Sequence, residues 1–478
     1  MRIPSLLITA LKGGSGKTLV TVGLVAAIRK RGLVPSVFKK GPDYIDAGWL
    51  SLSAGRPCYN LDQHLFSEET VLNSFIRRSL NSDISIIEGN RGLFDGVDNS
   101  GSSSSAELSK LLRSPTLMII DCSKMTGTAA ALVKGCQQFD PELQISGIIL
   151  NRIKGTRHEH VVRQAIERIT TIPVVGVIPS MKLRNFPQRH LGLLPIQEHP
   201  SAIDFVEEAR AIIESGLDLE EIERIAFQGP IPPNSHLLNL EPELLKTGSV
   251  NSIEIGILHD AAFQFYYPEN LEALILNGAN IVEINSLESK PLPDIDALYI
   301  GGGFPETHAE RLAENLIFRQ SIKSFVESGG PVYAECGGLM FLAKSLVIDT
   351  KVFPMAGVFS AKSVLNRKPQ GLGYVELKAR GSNPFFDGGL TLRGHEFHYS
   401  TMVLDYPNQE FWAFDVLRGQ GIDGAHDGLA VKNALGLYTH IHSLGEPEWA
   451  GSIVRKAKNF RVARKIKSDA CSLEENIK

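Results

Sequence analysis

The chain has 478 residues, 43% of them hydrophobic and 21% charged, with a formal net charge of −4. That is longer than one compact core normally spans, so two domains and a linker are expected. The dispersed basic residues argue against a nucleic-acid surface, and no apolar run is long enough to cross a membrane. Cys58, Cys122, Cys136, Cys336 and Cys471 are scattered and odd in number, which argues against a disulfide framework or a zinc knuckle; with no cleavable signal pattern at residues 1–10, the cytoplasm is the expected location.

A strand-like run over residues 3–10 leads into Leu11-Lys12-Gly13-Gly14-Ser15-Gly16-Lys17-Thr18, and helical spacing follows over 19–30. The amides of Gly13, Gly14 and Gly16 can wrap a phosphate, Lys17 brings a positive charge to its outer oxygens, and Thr18 can ligate magnesium. A glycine turn without a ligand is the bland alternative. Leu11 replaces the first glycine of the standard phosphate loop. With Lys12 ahead of the glycines, the stretch resembles the deviant P-loop class of partitioning ATPases and dethiobiotin synthetase, which implies that Lys12 also binds nucleotide and that a homodimer is one arrangement.

The next strand, 37–40, delivers Asp43 and Asp46 to a loop, where acids hold magnesium, position a substrate or simply line a surface turn. Residues 84–88 form a buried strand ending at Glu88 before a glycine-rich loop, and the serine run 102–105 opens a helix. Strands at 116–121, 145–152 and 174–179 alternate with helices, the rhythm of a doubly wound parallel sheet whose ligands gather beyond the carboxyl ends of its strands. The stretches KKGPDYIDAGW (39–49), YNLD (59–62) and IIEGNRGLFDG (86–96) resemble the signatures of a,c-diamide synthases. That resemblance assigns Asp43, Ile45, Asp46 and Glu88 to substrate and metal, with Thr18, Asp43 and Glu88 on magnesium; Asn151 falls where related ATPases read adenine.

Between residues 214 and 251 the pattern degrades, and the Pro-rich run 228–235 cannot continue a helix or central strand, so 226–250 is read as a linker between domains at 1–225 and 251–454. After a strand at 253–258, the aromatic patch Phe263, Phe265, Tyr266 and Tyr267 reads as core or domain interface before stacking platform. Strand 296–300 runs into Gly301-Gly302-Gly303-Phe304-Pro305-Glu306, whose bare amides could approach a developing oxyanion. Strand 331–335 stops at Cys336, and Gly337-Gly338 opens a helix, the elbow on which a nucleophile belongs; the helix's positive end is expected to favour the thiolate. A buried structural cysteine is the alternative.

Further on, the 434–442 stretch supplies His440 as a base for the thiol. His440-x-His442 and His395-x-x-His398 could each be half a metal site, a reading disfavoured by the absence of a cysteine cluster. GGGFPE, YAECGGLM and GLYTHIH, in that order, resemble the triad-type glutamine amidotransferase domain of cobyrinate and cobyrate synthases. The resemblance implies Cys336 as nucleophile, His440 as base, and Gly302, Gly303 and Gly337 around the glutamine oxyanion, with GHEFHYS (394–400) close by. Many relatives carry a glutamate two residues after the histidine; His442 stands there instead. The basic residues 455–467 read as a solvated helical tail within 455–478.

The two resemblances together span almost the whole chain. They imply an α/β protein of two doubly wound domains, a dethiobiotin-synthetase-like P-loop domain and a class I glutamine amidotransferase domain. The implied activity is amidation of the a and c carboxylates of cobyrinate: ATP with magnesium makes an acyl phosphate, and ammonia from glutamine displaces the phosphate. The alternatives are hydrogenobyrinate or nickel-sirohydrochlorin as substrate, cobyrate synthase, a partitioning-type ATPase switch with a regulatory module, and a free-standing glutaminase.

Overall fold

The computed structural model describes residues 3–181, 188–189, 192–229, 252–405 and 412–476. The chain divides into two compact units, Met1–Pro242 and Glu243–Lys478; most of the expected linker lies outside the described residues.

The first unit is built on β1 (Ser5–Ala10), β2 (Pro35–Lys40), β3 (Cys58–Leu61), β4 (Ile84–Glu88), β5 (Thr116–Asp121), β6 (Ile145–Ile153) and β7 (Val174–Pro179). They form one sheet in the order β3-β2-β4-β1-β5-β6-β7, with every pair parallel. Strands covered by helices on both faces must be apolar throughout, and β1, β2, β3 and β4 are buried along their whole length. The helix Lys17–Lys30 packs on the helix Ala202–Gly216 so closely that a Cβ on Gly23 would come 2.5 Å from the Ala209 carbonyl oxygen. A short hairpin, β8 (Gln188–Arg189) and β9 (Gly192–Leu193), completes the unit's strands among the described residues.

In the second unit, β10 (Ile253–Leu258), β11 (Ala279–Ile284), β12 (Ala297–Ile300) and β13 (Val332–Glu335) pair in parallel in the order β11-β10-β12-β13. Beyond β13 the architecture changes. The sequence from 343 to 431 carries short alternating strands in place of crossover helices: β14 (Ala343–Ile348), β15 (Lys351–Pro354), β16 (Phe359–Leu365), β17 (Gly371–Ala379), β18 (Thr391–His398), β19 (Ser400–Leu404), β20 (Trp412–Arg418) and β21 (His426–Val431). With β22 (Ala434–Leu437) and β23 (His440–Ile441), four of them extend the main sheet as β13-β22-β21-β20-β17-β18-β23, and β15-β14-β16-β19 form a separate four-stranded sheet. Only β22 joins this extension in parallel, against β13; the pairs after it are antiparallel. Half of the second unit is therefore an antiparallel elaboration of the doubly wound pattern.

The 263–267 aromatics belong to the core: Phe263 and Tyr267 are buried, and the Tyr266 hydroxyl donates to the Leu258 carbonyl and accepts the Gly301 amide at 2.8 Å. The basic tail continues a helix rooted in the domain, and its residues 462–466 are exposed. One helix, Glu448–Asn476, runs from inside the domain, burying Trp449, Ala450, Ile453, Val454 and Ala457. Phe460 meets Phe325 edge-on, Arg461 bonds the buried Asp296, and Arg464 bonds Asp294. The first turns anchor the helix, while Arg464 and Lys465 stay exposed. No helix among the described residues is long and apolar enough to cross a membrane.

Candidate active site

In the first unit the carboxyl ends of β1, β2 and β4 converge. Gly14 and Gly16 adopt left-handed backbone, and a Cβ on Gly16 would strike the Asn151 Nδ2 at 2.5 Å, so glycine is required there for both reasons. Asn151 braces the loop: its amide donates to the Ser15 carbonyl at 2.8 Å, while its oxygen accepts the Arg152 amide. An Asn side chain can still offer one proton and one lone pair to a base edge. Lys12, Gly13 and Gly14 are exposed, as a ligand cradle must be. Lys17 is folded inward onto the carbonyls of Arg91, at 2.6 Å, and Lys12, at 3.3 Å; burial and the neighbouring Lys39 lower its pKa.

The acids do not converge on one cation site as expected, because a lysine already stands among them. Lys39 Nζ lies 2.6 Å from Asp46 Oδ2 and 2.7 Å from Glu88 Oε1. Burial alone would lower the Lys39 pKa, but the two carboxylates, aided by Asp43, raise it well above the usual value. Asp43 is a turn former: its Oδ1 accepts the Asp46 amide at 2.9 Å at the start of the helix Ile45–Ala54, of which Ile45 is the first residue. Burial, with Asp46 nearby, pushes Asp43 up to about 6; Asp46 is held down despite its burial by Lys39. Asn60, from the YNLD stretch, fixes the same turn through the carbonyls of Gly41 and Asp43.

Oxygen ligands for magnesium remain at Thr18 and Glu88. Thr18 Oγ1 donates to Glu88 Oε1 at 3.1 Å, and Glu88 Oε2 is buried with no hydrogen bond among the described residues. Burial pushes the Glu88 carboxyl up to about 7. An orphaned carboxylate oxygen beside a hydroxyl under a phosphate loop fits a hard divalent cation, whereas no group of three or more His, Cys, Asp or Glu placed to hold a metal occurs among the described residues. The charge standing between Asp46 and Glu88 is that of Lys39.

In the second unit Cys336 follows β13 with φ 47° and ψ −98°, a strained elbow that holds the sulfur at the strand's end. The thiol is not the activated thiolate expected. Burial pushes its pKa up, Glu306 adds to the effect, as do Glu335 and Asp427, and the Gly337 amide opposes them without reversing the shift. Sγ faces the Phe397 carbonyl of GHEFHYS at 3.9 Å.

Around the elbow the glycine loop threads close to both partners. A Cβ on Gly302 would come 2.5 Å from His440 Cε1, and one on Gly337 would lie 3.0 Å from the Gly303 nitrogen, so the loop, the elbow and the imidazole pack closely together. The Gly301 amide is taken by Tyr266. His440 Nδ1 lies 3.4 Å from Glu335 Oε2, and its ring stacks on that of His395 at 4.9 Å. The buried Asp427 fixes the segment before it, accepting the amides of Gly428, Tyr438 and Thr439 and the Thr439 hydroxyl.

Two family models match the chain: a CobQ/CobB/MinD/ParA nucleotide binding domain over residues 6–193 and a CobB/CobQ-like glutamine amidotransferase domain over 254–448. The chain is similar to the cobyrinate a,c-diamide synthase of Magnetococcus marinus, 43% identical over 95% of this chain and 97% of the relative. The chain belongs to the cobyrinate a,c-diamide synthase family. The Archaeoglobus fulgidus and Picrophilus torridus synthases of that name are each 38% identical over 96% of this chain.

As a member of this family, the chain is a glutamine-dependent carbon–nitrogen ligase with a nucleotide-binding domain. The sequence assigns no site role to Lys39, Glu335 or Asp427. Lys39 and Glu335 left one signal: each is a charged residue inside a run that otherwise reads as a buried strand, where a charge persists only if it is paired.

Proposed function

We propose that this chain amidates the a and c carboxylates of cobyrinate in turn, with ATP and glutamine as co-substrates, in cobalamin biosynthesis. The observation that carries the reading is the presence in one chain of a phosphate loop beside a lysine–carboxylate cluster and of a cysteine elbow packed on a glycine loop that also meets an imidazole. Either alone would suit a switch or a glutaminase; together they suit a ligase that makes its own ammonia.

A carboxylate is a poor electrophile, so its oxygen first attacks the γ-phosphorus of ATP and ADP leaves. Lys12, Lys17 and the amides of Gly13, Gly14 and Gly16 hold the phosphates, Asn151 braces the loop, and Asp43, Ile45 and Asp46 present the substrate. Thr18 and Glu88 would hold magnesium, which supplies charge neutralisation at the phosphates. In the other unit His440 takes the Cys336 proton as sulfur bonds to the glutamine side-chain carbonyl carbon, and the Gly302, Gly303 and Gly337 backbone faces the oxyanion. The C–N bond breaks as His440 returns the proton to the leaving nitrogen, and water cleaves the thioester to glutamate. Ammonia attacks the acyl phosphate, phosphate leaves, and an amide results.

The test is product mass after incubation with ATP, magnesium and glutamine and, separately, cobyrinate, hydrogenobyrinate and nickel-sirohydrochlorin. Diamide from cobyrinate is expected; diamide only from one of the other tetrapyrroles would overturn the substrate, and none from any would overturn the reaction.

A further inference from the structure

We propose that Glu335 is the positioning residue for His440, standing in for the acid that the sequence lacks at position 442. The inference rests on the reading of Cys336 and His440 as nucleophile and base. Glu335 closes β13 immediately before the nucleophile and is fully buried. Its Oε1 accepts the Ile441 amide at 3.1 Å, and its Oε2 accepts the Tyr299 hydroxyl at 3.2 Å and faces His440 Nδ1 at 3.4 Å. One carboxylate thus grips the backbone just after the imidazole and addresses its far nitrogen, from the residue next to the sulfur. Catalytic contacts of this length in an unliganded enzyme shorten when substrate binds.

The other buried groups do not fit the role. His442 turns its Nδ1 to the Leu444 amide and its Nε2 toward Glu269 at 3.7 Å. Asp427 is occupied by four donors, none of them an imidazole. His395 lies against the face of the His440 ring, where it can orient but cannot accept an in-plane proton.

With Glu335 accepting from Nδ1–H, Nε2 keeps its lone pair for the Cys336 proton, and the imidazolium formed by that transfer is stabilised by the carboxylate. The thiol, which burial keeps protonated, depends on this base. In Glu335→Gln the carboxamide oxygen can keep the Ile441 amide, leaving its NH₂ facing Nδ1; the imidazole then carries its proton on Nε2 and cannot act as base.

The experiment is ¹⁵N NMR of the imidazoles in the full chain, with His440→Ala to assign the signal, alongside glutamine hydrolysis. The expected result is an Nδ1–H tautomer in the parent, an Nε2–H tautomer in Glu335→Gln, and a loss of about 10²–10⁴-fold in kcat with little change in the KM for glutamine. Ammonium-supported synthesis serves as the check that the variant is folded. An Nε2–H tautomer in the parent, which needs no variant, overturns the proposal, as does a folded Glu335→Gln that hydrolyses glutamine like the parent. If Cys336→Ala also retains hydrolysis, the underlying nucleophile assignment falls as well.

Discussion

Lys39 Nζ lies 2.7 Å from Glu88 Oε1, and neither side chain reaches solvent. Replacing one partner of a buried pair leaves the other charge without compensation, which typically costs about 3–5 kcal/mol. Lys39→Met, measured by urea unfolding without nucleotide or magnesium, is expected to lose stability on that scale, since Asp46 loses the same partner. A change below about 1 kcal/mol would show that the carboxyls are neutral in the resting protein.

Cys336→Ala is expected to abolish amidation with glutamine while amidation with concentrated ammonium salts continues, because the acyl phosphate can be captured from solution. The comparison of the two nitrogen sources is the measurement. Equal loss with both would remove Cys336 from ammonia production.

Lys17→Ala should stop ATP-dependent amidation with either nitrogen source and leave basal glutamine hydrolysis measurable, since Lys17 acts on phosphate charge and glutamine is attacked in the other unit. Nucleotide affinity and phosphoryl transfer are the quantities to follow. Their survival together would place the ATP site elsewhere.

Asp43→Asn, Asp46→Asn and Glu88→Gln are each expected to depress synthesis with ammonia supplied directly. The reasons differ: Asp43→Asn weakens the turn at the start of the helix at Ile45, Asp46→Asn loosens Lys39, and Glu88→Gln removes the carboxylate proposed to hold magnesium. Product mass should show accumulation of the monoamide where the defect is partial. Normal rates of diamide formation in all three would sink this centre.

Burial drives the His442 pKa down to about 3. Below about pH 6.5 the unfolded chain takes up a proton that the native imidazole refuses, so this group's contribution is complete above pH 6.5 and is lost as the pH falls toward 3, by about 1.4 kcal/mol per pH unit. Unfolding free energies between pH 6.5 and 5 should fall less steeply in His442→Gln than in the parent. Equal slopes would mean that His442 is protonated in the native protein.

Features whose cause is local were legible in the sequence. Gly16 must be glycine because of its own backbone, and the abrupt Cys336-Gly337-Gly338 elbow announces itself within a few residues. Ser104 caps the helix Ser105–Leu112 as its serine run suggested. What failed was everything decided by distant neighbours. The dipole of a helix can be anticipated from a cysteine followed by glycines, but the burial and the three carboxylates that keep Cys336 a thiol cannot. Asp43, Asp46 and Glu88 read as a metal nest because Lys39, in the same motif, reads as part of a strand rather than as their counter-ion. The C-terminal helix shows both cases: Arg464 and Lys465 are exposed, as their composition implies, whereas the anchoring of its first turns through Trp449, Ile453 and Ala457 depends on the core they meet.

That helix sets an order of events during translation. The core of the second unit is closed by Trp449, Ile453 and Val454, and Asp296 at the head of β12 awaits Arg461. A nascent chain has therefore finished the sheet of its first unit long before the ribosome delivers the segment that seals the second, and domains completed earlier fold earlier. The nucleotide-binding unit is thus complete in the chain before the amidotransferase unit can be closed.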